Sequence, residues 1–398
     1  MVRTEISEEE HRERIGRVRE ELEKRNLDAL YLTSGTSFLY LTGFSYIQTE
    51  RPAAIVVPVE GEVTFLGPVI EKDHIPLKTR IIKEILTYPD YPGEKHPMDF
   101  FAQFLREMKL DKKRLGIDNL AGASAKWGYK GPKITEKLPD ASFVEAKDLV
   151  EDMRLIKSEA EIELLKESAK WCAVATELLQ RELKPGVWDP VASLKASLQA
   201  SQAMKESLGG KYEPQRWTLA PAHAGLRGQV GEMSAMPHAM SIGRVIRKGD
   251  VLGTGAGADV GGYSSELERT MVVGKPTEGQ RRRFEVMLKA QVEALTTFGP
   301  GVKCSEVDRR AAKVFRDKGY GDSLRHHTGH GMGLEGHEPP WLDVGDDTVM
   351  QPGMVFSCEP GIYFPLDAGY RHSDTVVVTE DGAEIVTSYP RDLESLTL

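Results

Sequence analysis

The feature that most constrains this chain is a run of short motifs, all in its C-terminal half, that combine glycine, histidine and carboxylates. In order they are Pro237-His238, Gly255-Ala256-Gly257, Glu266 with Glu268, Gly329-His330-Gly331, His337-Glu338, Glu359-Pro360 and Arg371-His372-Ser373-Asp374. Each alone has an ordinary explanation: a satisfied core histidine, a turn, a solvated strand edge. Glu266 and Glu268 are two apart in a strand-like run, so both leave the same face. If Glu359 joins them, three carboxylates share one locality, and repulsion raises at least one pKa unless cations compensate. Arg371, His238 and His330 are the candidate cations.

The segment Gly253-Thr254-Gly255-Ala256-Gly257 superficially suggests a dinucleotide loop. The residues immediately after it, Ala258-Asp259-Val260-Gly261-Gly262-Tyr263, read as a hairpin turn rather than a helix opening. The phosphate-cradling geometry is therefore missing.

The 398 residues exceed what a single core usually serves, so two domains are expected. In the first, Ser7 with Glu10 reads as a helix cap, with Ile15, Val18 and Leu22 at helical spacing behind it. Strand-like runs come next at Ala29–Leu32, Ala53–Val57, Val63–Leu66, Arg80–Ile85 and Leu115–Asp118, with a helix over Met98–Met108. That alternation predicts a small α/β domain over residues 1–153. Ser158 and Glu161 form a capping box that opens a long helix and begins a second domain, 154–398. Helices at Ala192–Ser207, after Thr277/Gln280 and over Ser305–Lys318 are segregated from strand-rich sequence, which predicts an α+β domain with a curved antiparallel sheet.

Composition narrows the classes of function. A net charge of −9 argues against nucleic-acid binding, and no apolar run approaches the length of a membrane span. The opening MVRTEISEEEHRER is too charged for a secretory signal. Three cysteines without CxxC spacing (Cys172, Cys304, Cys358) fit a reducing cytoplasm better than a disulfide or zinc framework.

Taken as an ordered series, the motifs resemble the pita-bread hydrolases: aminopeptidase P, prolidase, methionine aminopeptidase and creatinase. Leu252–Gly257 with Gly262–Thr270 resembles the family's first strand pair, and His330-Gly331-Met332-Gly333 with His337-Glu338 resembles its histidine loop. Pro352-Gly353-Met354 with Glu359-Pro360-Gly361-Ile362-Tyr363 resembles its glutamate strand, and Tyr40-Leu41-Thr42-Gly43-Phe44 resembles the creatinase-type N-terminal domain. The resemblance implies an α+β pita-bread domain behind a creatinase-type α/β domain. In metallopeptidase relatives two divalent metals are held by two aspartates, a histidine and two glutamates. Those positions fall here on Gly255, Glu266, His330, Glu359 and Ser373, so two donors are lost. Glycine offers no side chain, and a neutral hydroxyl is a poor ligand for hard divalent ions.

The departures lean toward creatinase, the metal-independent branch. Its pocket glutamate matches Glu268, its general-base histidine matches His238, and its N-terminal-domain arginine matches Arg51, which there reaches across a homodimer interface. The leading expectation is a creatinase-like hydrolase of a C–N bond in a small amide, amidine or guanidino substrate. Its catalytic residues would be His238, Glu268, Glu359 and His337, and its substrate-binding residues Arg51, Gly255, His330, Arg371, His372 and Ser373. Space at Gly255 and Ser373 is expected to receive the substrate. No cofactor is expected; the alternative is one divalent ion (Mn, Zn or Co) on Glu266, His330 and Glu359. The retained His337 supports a different reading, an Xaa-Pro dipeptidase or aminopeptidase with a reduced metal site acting on a dipeptide. A third reading is a non-catalytic binding protein on the same scaffold.

Overall fold

In the computed structural model the placement of residues 2–123, 129–240 and 243–398 is described, and the chain divides into two compact units. One is Ile6–Arg154; the other joins Met1–Glu5 to Leu155–Leu398.

The first unit opens on the helix Glu8–Lys24, whose N-terminus is capped by the Ser7 hydroxyl accepting from the Glu10 amide. Ile15, Val18 and Leu22 form its buried stripe, as their spacing predicts. A six-stranded mixed sheet runs in the order Ile82–Tyr88, Val63–Pro68, Ala54–Pro58, Ala29–Leu32, Arg114–Ile117, Ser142–Glu145. The helix Pro97–Glu107 buries Met98, Phe101 and Leu105 against Tyr31, Tyr88 and Ile117 of that sheet. The strand expected over Arg80–Ile85 runs instead over Ile82–Tyr88. Thr79 explains the shift: its hydroxyl donates to the Thr42 carbonyl and accepts from the Ile81 amide at 3.0 Å, which holds the entry residues as a turn.

In the second unit both capping boxes form, Ser158/Glu161 ahead of the helix Glu159–Glu182 and Thr277/Gln280 ahead of Glu278–Leu295. Helices Asp189–Leu208 and Cys304–Asp317 complete the long helices, and the three cysteines are buried free thiols. Three antiparallel sheets carry the polar motifs. One is Ala222–Gly225, Val251–Ala258, Glu266–Val272; one runs Glu338–Leu342, Gly329–Gly331, Val355–Cys358, Asp374–Thr379, Gly382–Ile385; the third pairs Gly361–Phe364 with Ala368–Arg371. This is the α+β pita-bread arrangement expected from the motifs. A bridge between Glu268 and Ser373, with reciprocal backbone bonds of 3.1 Å, joins the first sheet to the second.

Two interior devices fix that junction. Ser168 of the long helix donates to the Ala258 carbonyl (2.6 Å) and accepts from the Ser265 amide (2.8 Å), setting the backbone immediately before Glu266. Arg269 is wholly buried; it donates to the Glu268 and Ser373 carbonyls at 2.7 and 2.9 Å and to Asp374 at 2.9 Å. Asp374 also accepts from Gln291, Thr387 and Arg391, so the buried pair leaves neither charge uncompensated. No helix among the described residues is long and apolar enough to cross a membrane.

Candidate active site

The hairpin that replaces the supposed dinucleotide loop places Gly255 directly opposite Glu268 and Gly257 opposite Glu266. Its turn is closed by the Val260–Tyr263 bridge, with Gly261 and Gly262 at φ of 61° and 87°, conformations that favour glycine. His330 lies in the register position opposite Ser357, and Glu359 comes directly after that strand. Arg371 ends the short strand Ala368–Arg371, and Ser373 lies across from Glu268.

These placements bring Glu266, His330 and Glu359 together, with one ligand atom from each lying within 4.8 Å of the others. Glu266 accepts from the hydroxyls of Ser357 and Ser373 at 2.9 and 2.7 Å, and the two serine oxygens are 2.9 Å apart. His330 Nδ1 lies 3.0 Å from the Gly331 carbonyl, which can only accept, so Nδ1 carries a proton. Nε2 is buried without a hydrogen bond and stands 3.4 Å from Glu359 Oε1. Burial opposes the charged imidazole, but Glu359 and Glu266 outweigh it and raise its pKa to about 8. Burial likewise opposes ionisation of Glu359, yet His330, Arg371 and His326 hold its pKa down at about 2.

Arg371 organises the other half. Its Nη2 donates to Glu268 Oε1 at 2.7 Å, its Nε contacts Glu268 Oε2 and lies 3.6 Å from Glu359 Oε2, and its Nη1 reaches the Tyr363 hydroxyl at 3.3 Å. Burial, with Glu266 and Glu359 adding, lifts Glu268 to about 7 against the pull of Arg371. The part-exposed Arg227 also approaches Glu268, at 3.5 Å. Tyr363 sits 2.8 Å from His326 Nε2, while His326 Nδ1 bonds the His327 carbonyl at 2.7 Å. Burial lowers the His326 pKa, so the neutral ring accepts a hydrogen bond from the Tyr363 hydroxyl.

The space expected at Gly255 is narrowed by Glu268. A Cβ there would lie 3.3 Å from Glu268 Oε1, and the cavity beside Glu268 and Arg371 measures about 10 Å³, room for about one water. His372 is not part of the cluster: it is fully buried, edge-on to Phe284 at 5.2 Å, because alternation along the strand puts it opposite Arg371 and Ser373. His337 is exposed and stacks on His330 with ring centroids 3.8 Å apart. Burial and then the charge of His330 lower its pKa. His238 is exposed on the segment after Gly231–Ala235. The Gln229 amide ties that segment down by bonding the Met236 and Pro237 carbonyls at 3.1 and 2.6 Å. Arg51, in the first unit, is paired with Glu50 at 2.6 Å and Asp90 at 2.9 Å.

Sequence reasoning assigned no role to Tyr363, His326, Ser357 or Arg227. Tyr363 lay in a quoted motif and His326 in a His-His doublet; Ser357 and Arg227 carried no signal.

Residues 163–380 match the model of metallopeptidase family M24, and residues 14–156 match the creatinase/prolidase N-terminal domain. Curated Xaa-Pro dipeptidases from Pyrococcus horikoshii and Pyrococcus furiosus are each 29% identical to this chain. They align over 382 and 385 residues, 96% of this chain in both cases and 98% and 99% of the relatives. A solved Xaa-Pro dipeptidase from Bacillus anthracis superposes with a TM-score of 0.79 at 28% identity, over 98% of this chain and all of its own. These relatives are peptidases, which corrects the lean toward creatinase.

Proposed function

The chain belongs to metallopeptidase family M24, and on that premise we propose that it hydrolyses the peptide bond of a short substrate of the Xaa-Pro dipeptide class at the Glu266, His330, Glu359 cluster. The observation that carries this reading is the donor set itself. Three ligand atoms lie within 4.8 Å, and one of them, buried His330 Nε2, makes no hydrogen bond among the described residues and faces the carboxylate of Glu359, a second donor of the set, at 3.4 Å. Two carboxylates and an imidazole suit one Mn, Zn or Co ion. As they stand they do not suit two, because Gly255 offers nothing, Ser373 offers a hydroxyl already turned to Glu266, and the Glu268 carboxylate is engaged by Arg371.

When bound, such an ion supplies Lewis acidity and a water of lowered pKa. The remaining functions fall to side chains. The Gly331 carbonyl fixes the His330 tautomer, leaving Nε2 as the donor. Ser357 and Ser373 orient Glu266. Arg371 holds a permanent positive charge between Glu268 and Glu359. His337, stacked on His330 and favoured neutral, is placed to hold the substrate, and His238 is the proposed proton carrier at the edge of the site. The same reading includes a homodimer to which Arg51 contributes across the interface, and a cytoplasmic setting that suits the free thiols. Reaching a partner would require Arg51 to give up Glu50 and Asp90.

A second reading, metal-free cleavage of an amide, amidine or guanidino C–N bond in a small substrate, is favoured by the Glu268–Arg371 pair, which supplies charge compensation without a metal. Side-by-side turnover separates the two. Release of proline from Xaa-Pro dipeptides supports the peptidase; turnover of creatine or N-acyl amino acids with inert dipeptides supports the second reading.

A further inference from the structure

We propose that the Arg371 guanidinium is the resident second cation of this site, and that by bridging Glu268 and Glu359 it limits the cluster to one bound divalent ion. This rests on the reading of Glu266, His330 and Glu359 as a metal-binding set, and it concerns how many ions that set accepts.

Three observations converge. The first is placement. Arg371 Nε lies between a contact with Glu268 Oε2 and a 3.6 Å approach to Glu359 Oε2, so one group spans two buried carboxylates as a bridging ion would. A guanidinium makes such contacts in a fixed planar fork and keeps its charge even when buried.

The second is space. The Glu268 carboxylate borders the region a side chain at 255 would enter, 3.3 Å from the Cβ position, and the cavity that Glu268 and Arg371 line together with Gly253, Thr254, Thr270 and Tyr363 measures only about 10 Å³. A divalent ion with its own waters needs more than a cavity that holds one water molecule. The carboxylate missing at 255 has in effect been supplied from across the strand pair, where it serves the arginine.

The third is charge. Glu266, Glu268 and Glu359 carry three negative charges when ionised; the buried Arg371 cancels one and a single divalent ion cancels the other two, while Arg227, 3.5 Å from Glu268 with its side chain half exposed, is screened by solvent. A second divalent ion would leave two uncompensated positive charges in a largely buried site, which is strongly unfavourable. Ser373, whose hydroxyl donates to Glu266 at 2.7 Å, adds no charge to offset them.

The test is a Mn2+ titration of the full-length metal-free protein, read by metal content per chain and by electron paramagnetic resonance. The wild type is expected to take up about one Mn2+ with an uncoupled spectrum. Arg371→Met, which removes the charge and frees Glu268 and Glu359 to serve as donors in place of the carboxylate absent at 255, is expected to admit a second Mn2+ and show exchange coupling. Arg371→Lys, which keeps the charge, should stay at one. Glu268→Gln removes one negative charge at constant shape and should weaken the single Mn2+ by about ten-fold. Two coupled ions in the wild type overturn the proposal, as does a folded Arg371→Met that still takes only one. If Arg371→Met does not fold, two ions in Arg371→Lys or unchanged affinity in Glu268→Gln overturn it. A protein that holds one ion but cleaves no peptide would remove the proposed substrate and leave this inference standing. An active peptidase holding two ions would remove this inference alone.

Discussion

Glu268 stands directly opposite Gly255 across an antiparallel strand pair, and its carboxylate lies 3.3 Å from where a side chain at 255 would begin. The two positions therefore act as one. Glycine at 255 is what lets the long acidic side chain at 268 turn inward to Arg371, and Arg371 is what makes that burial tolerable.

Gly255→Asp would set a second carboxylate against Glu268 with one guanidinium between them. It should destabilise the fold by about 3 kcal/mol, against about 1 for Gly255→Ala. Adding Glu268→Thr should recover most of the loss. Thermal or urea unfolding of the single and double variants checks this, and additive losses would count against the coupling.

The chain Arg371, Tyr363, His326 fixes the guanidinium from behind. Tyr363→Phe keeps the ring and removes the hydroxyl that links the other two. Turnover is expected to fall about ten-fold with little change in stability. A kcat equal to wild type, measured beside an unfolding curve, would show the chain to be idle.

Ser373→Ala removes one of two hydroxyls that donate to Glu266. Stability should fall by about 1 kcal/mol, because Ser357 still satisfies the carboxylate. Ser357→Ala with Ser373→Ala should cost more than the sum of the two singles, measurable as a double-mutant cycle.

His11, in the first unit, packs its ring beside Gly43, and its Nδ1–H donates to the Tyr40 carbonyl at 3.1 Å. Burial, with Arg14 adding, lowers its pKa from 6.5 to about 4. Between those values the unfolded chain binds the extra proton and the folded one does not, so stability falls as pH falls through this window. The full contribution, about 3 kcal/mol, is present above pH 6.5. His11→Gln should flatten that part of the stability profile; an unchanged slope would assign it elsewhere.

The fold was largely legible because its signals are local. Capping boxes at Ser158 and Thr277, the stripe on the first helix and the glycine turn at 261–262 each arise from backbone chemistry within a few residues. The site was legible as an ordered set of donors, and less so as a geometry. Glu266, His330 and Glu359 converge, yet the space expected at Gly255 is narrowed by a residue thirteen positions away, because register and side-chain length are settled only by sheet pairing. His372 was misplaced for a simpler reason: strand alternation sends it into the core beside Phe284. Arg227 and Ser357 reach the site from segments with no motif of their own, and only the tertiary fold brings them there.

The most direct measurement of the central claim is proline release from an Xaa-Pro dipeptide by the purified protein, before and after chelation and on return of Mn2+. The expected result is hydrolysis that is lost on chelation, restored by about one Mn2+ per chain, and absent in His330→Ala at every Mn2+ concentration. Hydrolysis that persists undiminished after complete metal removal, or no hydrolysis in a protein that holds its ion, would contradict it.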